Sequence, residues 1–239
     1  MRTMNDDTGS AVGIARRRNP RGQGERLRAE ILAAVARLLD QKLTDNALPI
    51  SLREVAREVG IAAQSMYLHF ADKDQLARAV AEDGYQRAVA AMRDADAEAA
   101  ANGADAPGRL RAQANAFYGF ARAERGVVRM MFGHNASSFG EPGQAHPARL
   151  MWEQWLDAVR ACEKEEGLRW PDGAEQTAMV LWSALFGRFV LWSSTFERHD
   201  ARELTTFVDR VVGTLLRDAR RFAPGASSAG SDSPARNSP

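Results

Sequence analysis

At 239 residues the chain is long enough to bury a full core and to join a small domain to a larger one. Its 45% hydrophobic and 26% charged residues are those of an ordinary globular protein. Its longest apolar-looking stretch, Met179 to Phe196, is broken by Ser183, Gly187, Arg188, Ser193 and Ser194, which excludes a spanning helix of about 20 apolar residues and with it a membrane partner.

The net charge of +1 conceals a basic front. Arg16, Arg17, Arg18, Arg21, Arg26, Arg28, Arg37 and Lys42 face only Glu25, Glu30 and Asp40 between Ala11 and Lys42. Such a block suits a phosphate backbone, and equally suits a solvated arm. Residues 1–22, polar and carrying Gly9, Gly13 and Pro20, are expected to form a flexible basic arm. No apolar leader stretch is visible there, and Cys162 is the lone cysteine, so a reducing cytoplasmic setting is expected.

The chain then reads as helix after helix, with almost no strand signal. Leu27, Ile31, Val35, Leu38 and Leu39 line one face of a first helix from about Gly24 to Lys42. Ser51, with Glu54 three residues on, is a capping box opening a short second helix to about Val59. Gly60 permits the positive φ of a sharp helix ending. A third helix is predicted over about Ala62 to Phe70, and a fourth from Asp72, with its acidic first turn, to about Ala100, where Asn102-Gly103 stops it.

Pro107 fits the first position of a fifth helix, followed by a short one over Val127 to Phe132. Residues 133–147 read as a loop. Three more helices are predicted, over about Ala148–Glu166, Pro171–Arg198 and Ala201–Phe222. Beyond Phe222 no large aliphatic or aromatic residue occurs, and 223–239 is expected to be a disordered tail. The fold class is therefore all-α, with about nine helices: a three-helix head over 23–72 and a larger helical body over 73–222.

Ser51 to Phe70 carries the most information. Two short helices crossing steeply need a small residue at their contact, a glycine to reverse the chain, and apolar anchors on both sides. Ala56, Gly60, and the set Val55, Val59, Ile61 and Met66 supply these. The segment ends in Tyr67-Leu68-His69-Phe70, followed by Lys73 and Leu76. In these features residues 25–80 resemble the TetR family of bacterial regulators, with its helix-turn-helix, its Tyr-x-His-Phe ending and the Lys that follows.

This resemblance implies double-stranded DNA as a partner. Ala62, Ala63, Gln64 and Ser65 at the start of the recognition helix are expected to face base edges in the major groove. Gln64 is the residue suited to direct readout, because its amide pairs bidentately with adenine; the two alanines offer only methyl contact. Tyr67 and His69 resemble the family's phosphate contacts, Lys73 suits a phosphate clamp, and Ser51 and Arg53 can grip the neighbouring backbone. Phe70 reads as a core anchor, and the arm around Arg16 to Arg21 is a candidate for the minor groove by analogy alone.

The body is expected to dimerise and to sense. One short recognition helix buries too little for a genomic search, so a homodimer on a palindromic operator is expected. Leu204, Phe207, Val208, Val211, Val212, Leu215 and Leu216 form a stripe on the last helix that is core or interface. Phe117, Phe120, Met131, Trp152, Trp155, Met179, Trp182 and Phe186 are candidates to line a pocket for an apolar or aromatic small-molecule effector, although they equally suit a plain core. Leu181-Trp182-Ser183-Ala184-Leu185-Phe186-Gly187, alongside Met130-Met131-Phe132, resembles a Trp-x-x-x-His-Gly motif of one group of TetR-type C-terminal domains, with Phe186 in place of the His.

No cofactor is expected, and no enzyme. Cys162 lies beside Glu163, Glu165 and Glu166, whose charges disfavour a thiolate. No phosphate-cradling Gly loop or nucleophile elbow occurs. His134, Glu141 and His146 lack ligand spacing for a metal. A ligand-released repressor is the leading reading; a TetR-like protein that binds DNA constitutively, as a structural or partner-recruiting factor, would carry the same helix-turn-helix.

Overall fold

The computed structural model describes residues 23–41, 50–133, 145–194 and 200–222. Among these are nine helices and no strand: α1 Gln23–Gln41, α2 Leu52–Val59, α3 Ala63–Met66, α4 Lys73–Ala101, α5 Ala106–Ala123, α6 Arg125–Phe132, α7 Arg149–Glu166, α8 Gly173–Ser194 and α9 Ala201–Arg221. The expected arm, tail and metal candidates His134 and Glu141 lie outside the described residues, as do Lys42 and Phe196.

Helix boundaries follow local chemistry. The Ser51 Oγ accepts the Glu54 N–H at 3.2 Å, opening α2. At the other end Gly60, with φ +78°, donates to the Arg57 carbonyl, and Ile61 donates to that of Ala56 at 2.9 Å. These are the two paired bonds of a left-handed helix ending that only glycine adopts without strain. Asp72 caps α4 by accepting the Gln75 N–H at 2.8 Å, and Gly103, also at φ +78°, follows its end.

Several boundaries differ from expectation; α6, for one, begins at Arg125 and not Val127. Asp105 takes the cap of α5, accepting the Gly108 N–H at 2.7 Å, so the helix starts at Ala106 and Pro107 is its second residue. The described part of α8 begins at Gly173, not Pro171, and ends at Ser194. The recognition helix is the informative case: α3 is only four residues long, and Tyr67, Leu68 and His69 form turns. There Leu68 and His69 donate three residues back, to Ser65 and Met66. This tightening brings the Phe70 ring into the core, where it is 1% exposed, with the Arg28 guanidinium 4.7 Å from its centroid.

One continuous core serves head and body. Ile31, Val35, Leu38 and Leu39 of α1 pack with Val55, Ala56, Met66, Phe70 and the start of α4. In the body α4 lies along α5 and α6, α5 meets α7 and α9, and α7–α8–α9 pack in sequence. The α9 stripe divides: Leu204, Val208, Val212 and Leu216 are buried within the chain, whereas Phe207, Val211 and Leu215 are only partly covered. The outward apolar face belongs to α8, on which Met179, Val180, Val190 and Leu191 are exposed, with Ser183 and Gly187 between them.

Candidate nucleic-acid interface and aromatic cluster

The start of the recognition segment stands clear of the core. Ala62 and Gln64 are exposed, Ala63 and Ser65 half-buried, and Met66 is fully buried beneath them. Ser51 and Arg53 are exposed at the start of α2, Tyr67 is 50% and Leu68 82% exposed, His69 is half-buried, and Lys73 is exposed at the first position of α4. These positions all lie on or beside one helix-turn-helix. Arg53, Gln64, Tyr67, His69 and Lys73 have no side-chain hydrogen bond among the described residues, so their donors and acceptors are available to a partner. A cation in the first turn of a helix opposes the helix dipole, so Lys73 does not serve the stability of α4.

The proposed effector residues separate into three groups. Phe117, Met131 and Trp155 are fully buried, with Phe117 and Trp155 edge-to-face at 6.0 Å. Trp152, Trp182 and Phe186 are half-buried: Trp152 and Trp182 lie 6.4 Å apart, and Phe186 reaches them through Phe132, which is 4.3 Å from Phe186 and 6.1 Å from Trp182. Phe120 and Met179 stand apart. Phe120 lies 5.5 Å from the Arg87 guanidinium, and Met179 faces outward, 44% exposed.

Phe132 is thus the hub of the cluster. Tyr85 is the member that sequence reasoning missed. Its ring meets Phe132 edge-to-face at 5.5 Å and its hydroxyl donates to the Met131 carbonyl at 2.9 Å, while burial raises its pKa. Nothing in the helical period of α4 could single it out. One signal was available for α6: Gly126, an isolated glycine inside a helix, marks a close approach. A Cβ there would lie 2.5 Å from the Leu39 backbone carbon.

The Cys162 thiol is buried and donates to the Ala158 carbonyl at 3.5 Å; burial, reinforced by Glu166, pushes its pKa up to about 12. Among the described residues no group of three or more His, Cys, Asp or Glu could hold a metal ion, and no helix is long and apolar enough to cross a membrane. Of the metal candidates only His146 is described, its Nδ1 accepting the Ala148 N–H at 3.1 Å.

Comparison with known proteins agrees with this geometry. Residues 31–80 match the family model of bacterial regulatory proteins, tetR family, and residues 110–225 match a tetracyclin repressor-like C-terminal domain. No curated protein matches the chain. Among solved structures, a protein of unknown function from Rhodococcus sp. RHA1 is similar at 26% identity and a TM-score of 0.65, over 83% of this chain and 100% of that one. The fatty acid degradation regulator FadR from Bacillus halodurans is 14% identical, with a TM-score of 0.64 over 79% of this chain and 93% of its own. The TetR family regulator PfmR from Thermus thermophilus is 18% identical, with a TM-score of 0.59 over 77% of this chain and 97% of its own.

Proposed function

Since the chain belongs to the TetR family of DNA-binding transcriptional regulators, we propose that it is a homodimeric repressor released from a palindromic operator by a small, mainly apolar or aromatic effector. The head, 23–72, reads DNA. Gln64 contacts base edges, Ala62, Ala63 and Ser65 allow close approach, and Ser51, Arg53, Tyr67, His69 and Lys73 hold phosphates. The body, 73–222, takes the effector at the ring cluster of Phe132, Trp152, Trp182 and Phe186, with Phe117, Met131 and Trp155 behind it. Two copies meet through the outward face of α8 together with α9, where Gly187, with no atom within 4 Å of its Cβ position, leaves room for a facing helix.

The observation that carries this reading is on α4. Its first residue is Lys73 beside the recognition segment, and the same unbroken helix holds Tyr85 against Phe132 in the ring cluster. About 18 Å of rigid helix separates the two residues. An effector that favours one position of Phe132 and Tyr85 therefore biases the orientation of the head, and in a dimer the spacing of two heads. Half-sites about 34–36 Å apart are engaged together only at one spacing.

Selection of bound duplexes from a random library, followed by an effector screen on the selected site, tests the reading. A single palindrome that is vacated on addition of a small molecule is expected. Many unrelated sites, bound without any response, would replace it with the constitutive DNA-binding reading.

A further inference from the structure

The interior of the body holds donors without acceptors. Three of the chain's five tryptophans, Trp155, Trp182 and Trp192, keep their indole Nε1–H out of solvent with no hydrogen-bond partner among the described residues. The neighbouring buried donors are served. Trp170 Nε1 donates to the Val159 carbonyl at 3.2 Å, and the Tyr85 and Tyr118 hydroxyls donate to the Met131 and Leu185 carbonyls at 2.9 Å. A buried donor left unpaired is unfavourable, so a site lined by one favours whatever brings an acceptor.

Trp182 and Trp155 are the two that matter. The Trp182 ring contacts Phe132 and Trp152 in the half-buried cluster, and Trp155, fully buried, follows Trp152 by one turn of α7. Trp192 lies elsewhere, beneath the Arg125 guanidinium at 4.5 Å. The remaining unpaired atom, Glu124 Oε2, belongs to a carboxylate already paired with Arg87 through its other oxygen. Among the described residues the buried polar side chains are Gln113, Gln154 and Thr177, all neutral and all hydrogen-bonded within the protein. Arg188, close enough to Tyr118 to act on it electrostatically, is paired with Glu203 at 2.8 Å.

We infer that the effector is a neutral, apolar molecule bearing a carbonyl, such as a ketone, ester or lactone, whose oxygen accepts the indole N–H of Trp182 or of Trp155. This deepens the effector reading above and rests on it. A carboxylate would be desolvated without a buried cation to meet it. An amine would add donors where the unmatched groups are themselves donors. A bare hydrocarbon would leave both indoles unpaired. A carbonyl oxygen has two lone pairs and no proton, the complement of this site.

The test uses the full chain, labelled with 15N at the indoles, and matched probes on linear, phenyl and naphthyl skeletons, each as hydrocarbon, methyl ketone, carboxylate and primary amine. The indole resonances are assigned with Trp182→Phe and Trp155→Phe. In at least one series the methyl ketone is expected to bind tightest and to move the Trp182 or Trp155 N–H proton downfield. It should lose about tenfold in affinity in the corresponding Phe variant, while the hydrocarbon does not. If either variant fails to fold, the rank order and the wild-type proton shift decide. Binding without a ketone advantage, or without an indole shift, would overturn this inference and leave the effector reading standing. No binding by any probe to the folded wild-type protein would count against the effector reading itself and overturn both.

Discussion

The Asp40 carboxylate accepts the backbone N–H of Gly126 at 2.8 Å, tying the end of α1 in the head to the start of α6 in the body. The same glycine lets α6 rest on the Leu39 backbone: an added Cβ would lie 2.5–2.7 Å from the Leu39 carbonyl carbon, Cβ and oxygen. Backbone cannot move aside as a flexible side chain can. Gly126→Ala should therefore destabilise the protein by about 1–3 kcal/mol through overpacking. Helix propensity alone predicts the opposite sign, a gain of about 1 kcal/mol for Ala over Gly. Urea unfolding decides between them, and a rise in the midpoint would dismiss the contact.

At the recognition segment two substitutions should separate base reading from phosphate holding. Gln64→Ala removes a candidate bidentate contact and should flatten preference at one base position, costing about 1–3 kcal/mol there. Lys73→Ala should weaken all duplexes alike and reduce the salt slope by about 1. Binding to a randomised site library at several salt concentrations reads both effects. An unchanged preference in the first variant would remove Gln64 from direct readout.

Much of this arrangement was legible because it is local. The Ser51 cap, the Gly60 reversal and the buried Val55, Ala56 and Met66 obey rules that span only a few residues, and the structure follows them. The shortness of α3 was not legible. Tyr67 to His69 have no strong helix aversion, and it is the long-range burial of Phe70 that tightens the chain after Met66. The assignment of faces in the body was hidden for a related reason: α8 is apolar nearly all round, so period alone cannot say that Leu181, Leu185 and Phe189 face inward while Met179 and Val180 face out. Phe132 is a hub only because Tyr85 of α4 and Trp182 and Phe186 of α8 converge on it.

The outward face of α8 makes the proposed dimer testable. Met179 and Val180 are each 44% exposed, and a charge placed among such residues at a helix interface would be desolvated against apolar neighbours. Val180→Glu should convert the protein to a monomer while leaving its melting behaviour nearly that of the isolated fold. Sedimentation velocity checks this. A dimer that survives the substitution would place the interface elsewhere.

Alkaline conditions should destabilise the fold in a defined window. Burial raises the pKa of Cys162 to about 12, and it also raises those of Tyr85 and Tyr118. A group whose folded pKa lies above its unfolded value contributes stability that is complete below the unfolded pKa and is lost as pH rises through the folded one. For Cys162 that loss begins near pH 9 and continues towards about 12, with the two tyrosines joining above about pH 10. Each group contributes a slope of at most about 1.4 kcal/mol per pH unit. Urea midpoints between pH 7 and 11 should fall in this window, and Cys162→Ala should reduce the fall at its lower end. A variant with the wild-type slope would show that the thiol titrates alike in both states.

A chain of side-chain bonds crosses the body from α4 to α7. Arg93 Nε donates to Gln154 Oε1 at 2.8 Å, Gln154 Nε2 to Gln113 Oε1 at 2.8 Å, and Gln113 Nε2 to Asp96 Oδ1 at 2.8 Å. Asp96 also accepts from Arg109 at 3.1 Å, so its charge stays met if Gln113 is lost. Gln113 and Gln154 are 3% and 9% exposed, which leaves water little access to a broken bond. Gln113→Leu alone therefore strands the Gln154 amide N–H and should cost about 1–3 kcal/mol. Gln154→Leu should cost more than the glutamine bond alone, since it also removes the acceptor of Arg93. The double variant buries two apolar side chains side by side and strands neither amide, so its cost should fall below the sum of the singles by about 0.5–3 kcal/mol. Chemical unfolding of the four proteins of the cycle measures that coupling, and strict additivity would mean that the two glutamines act independently.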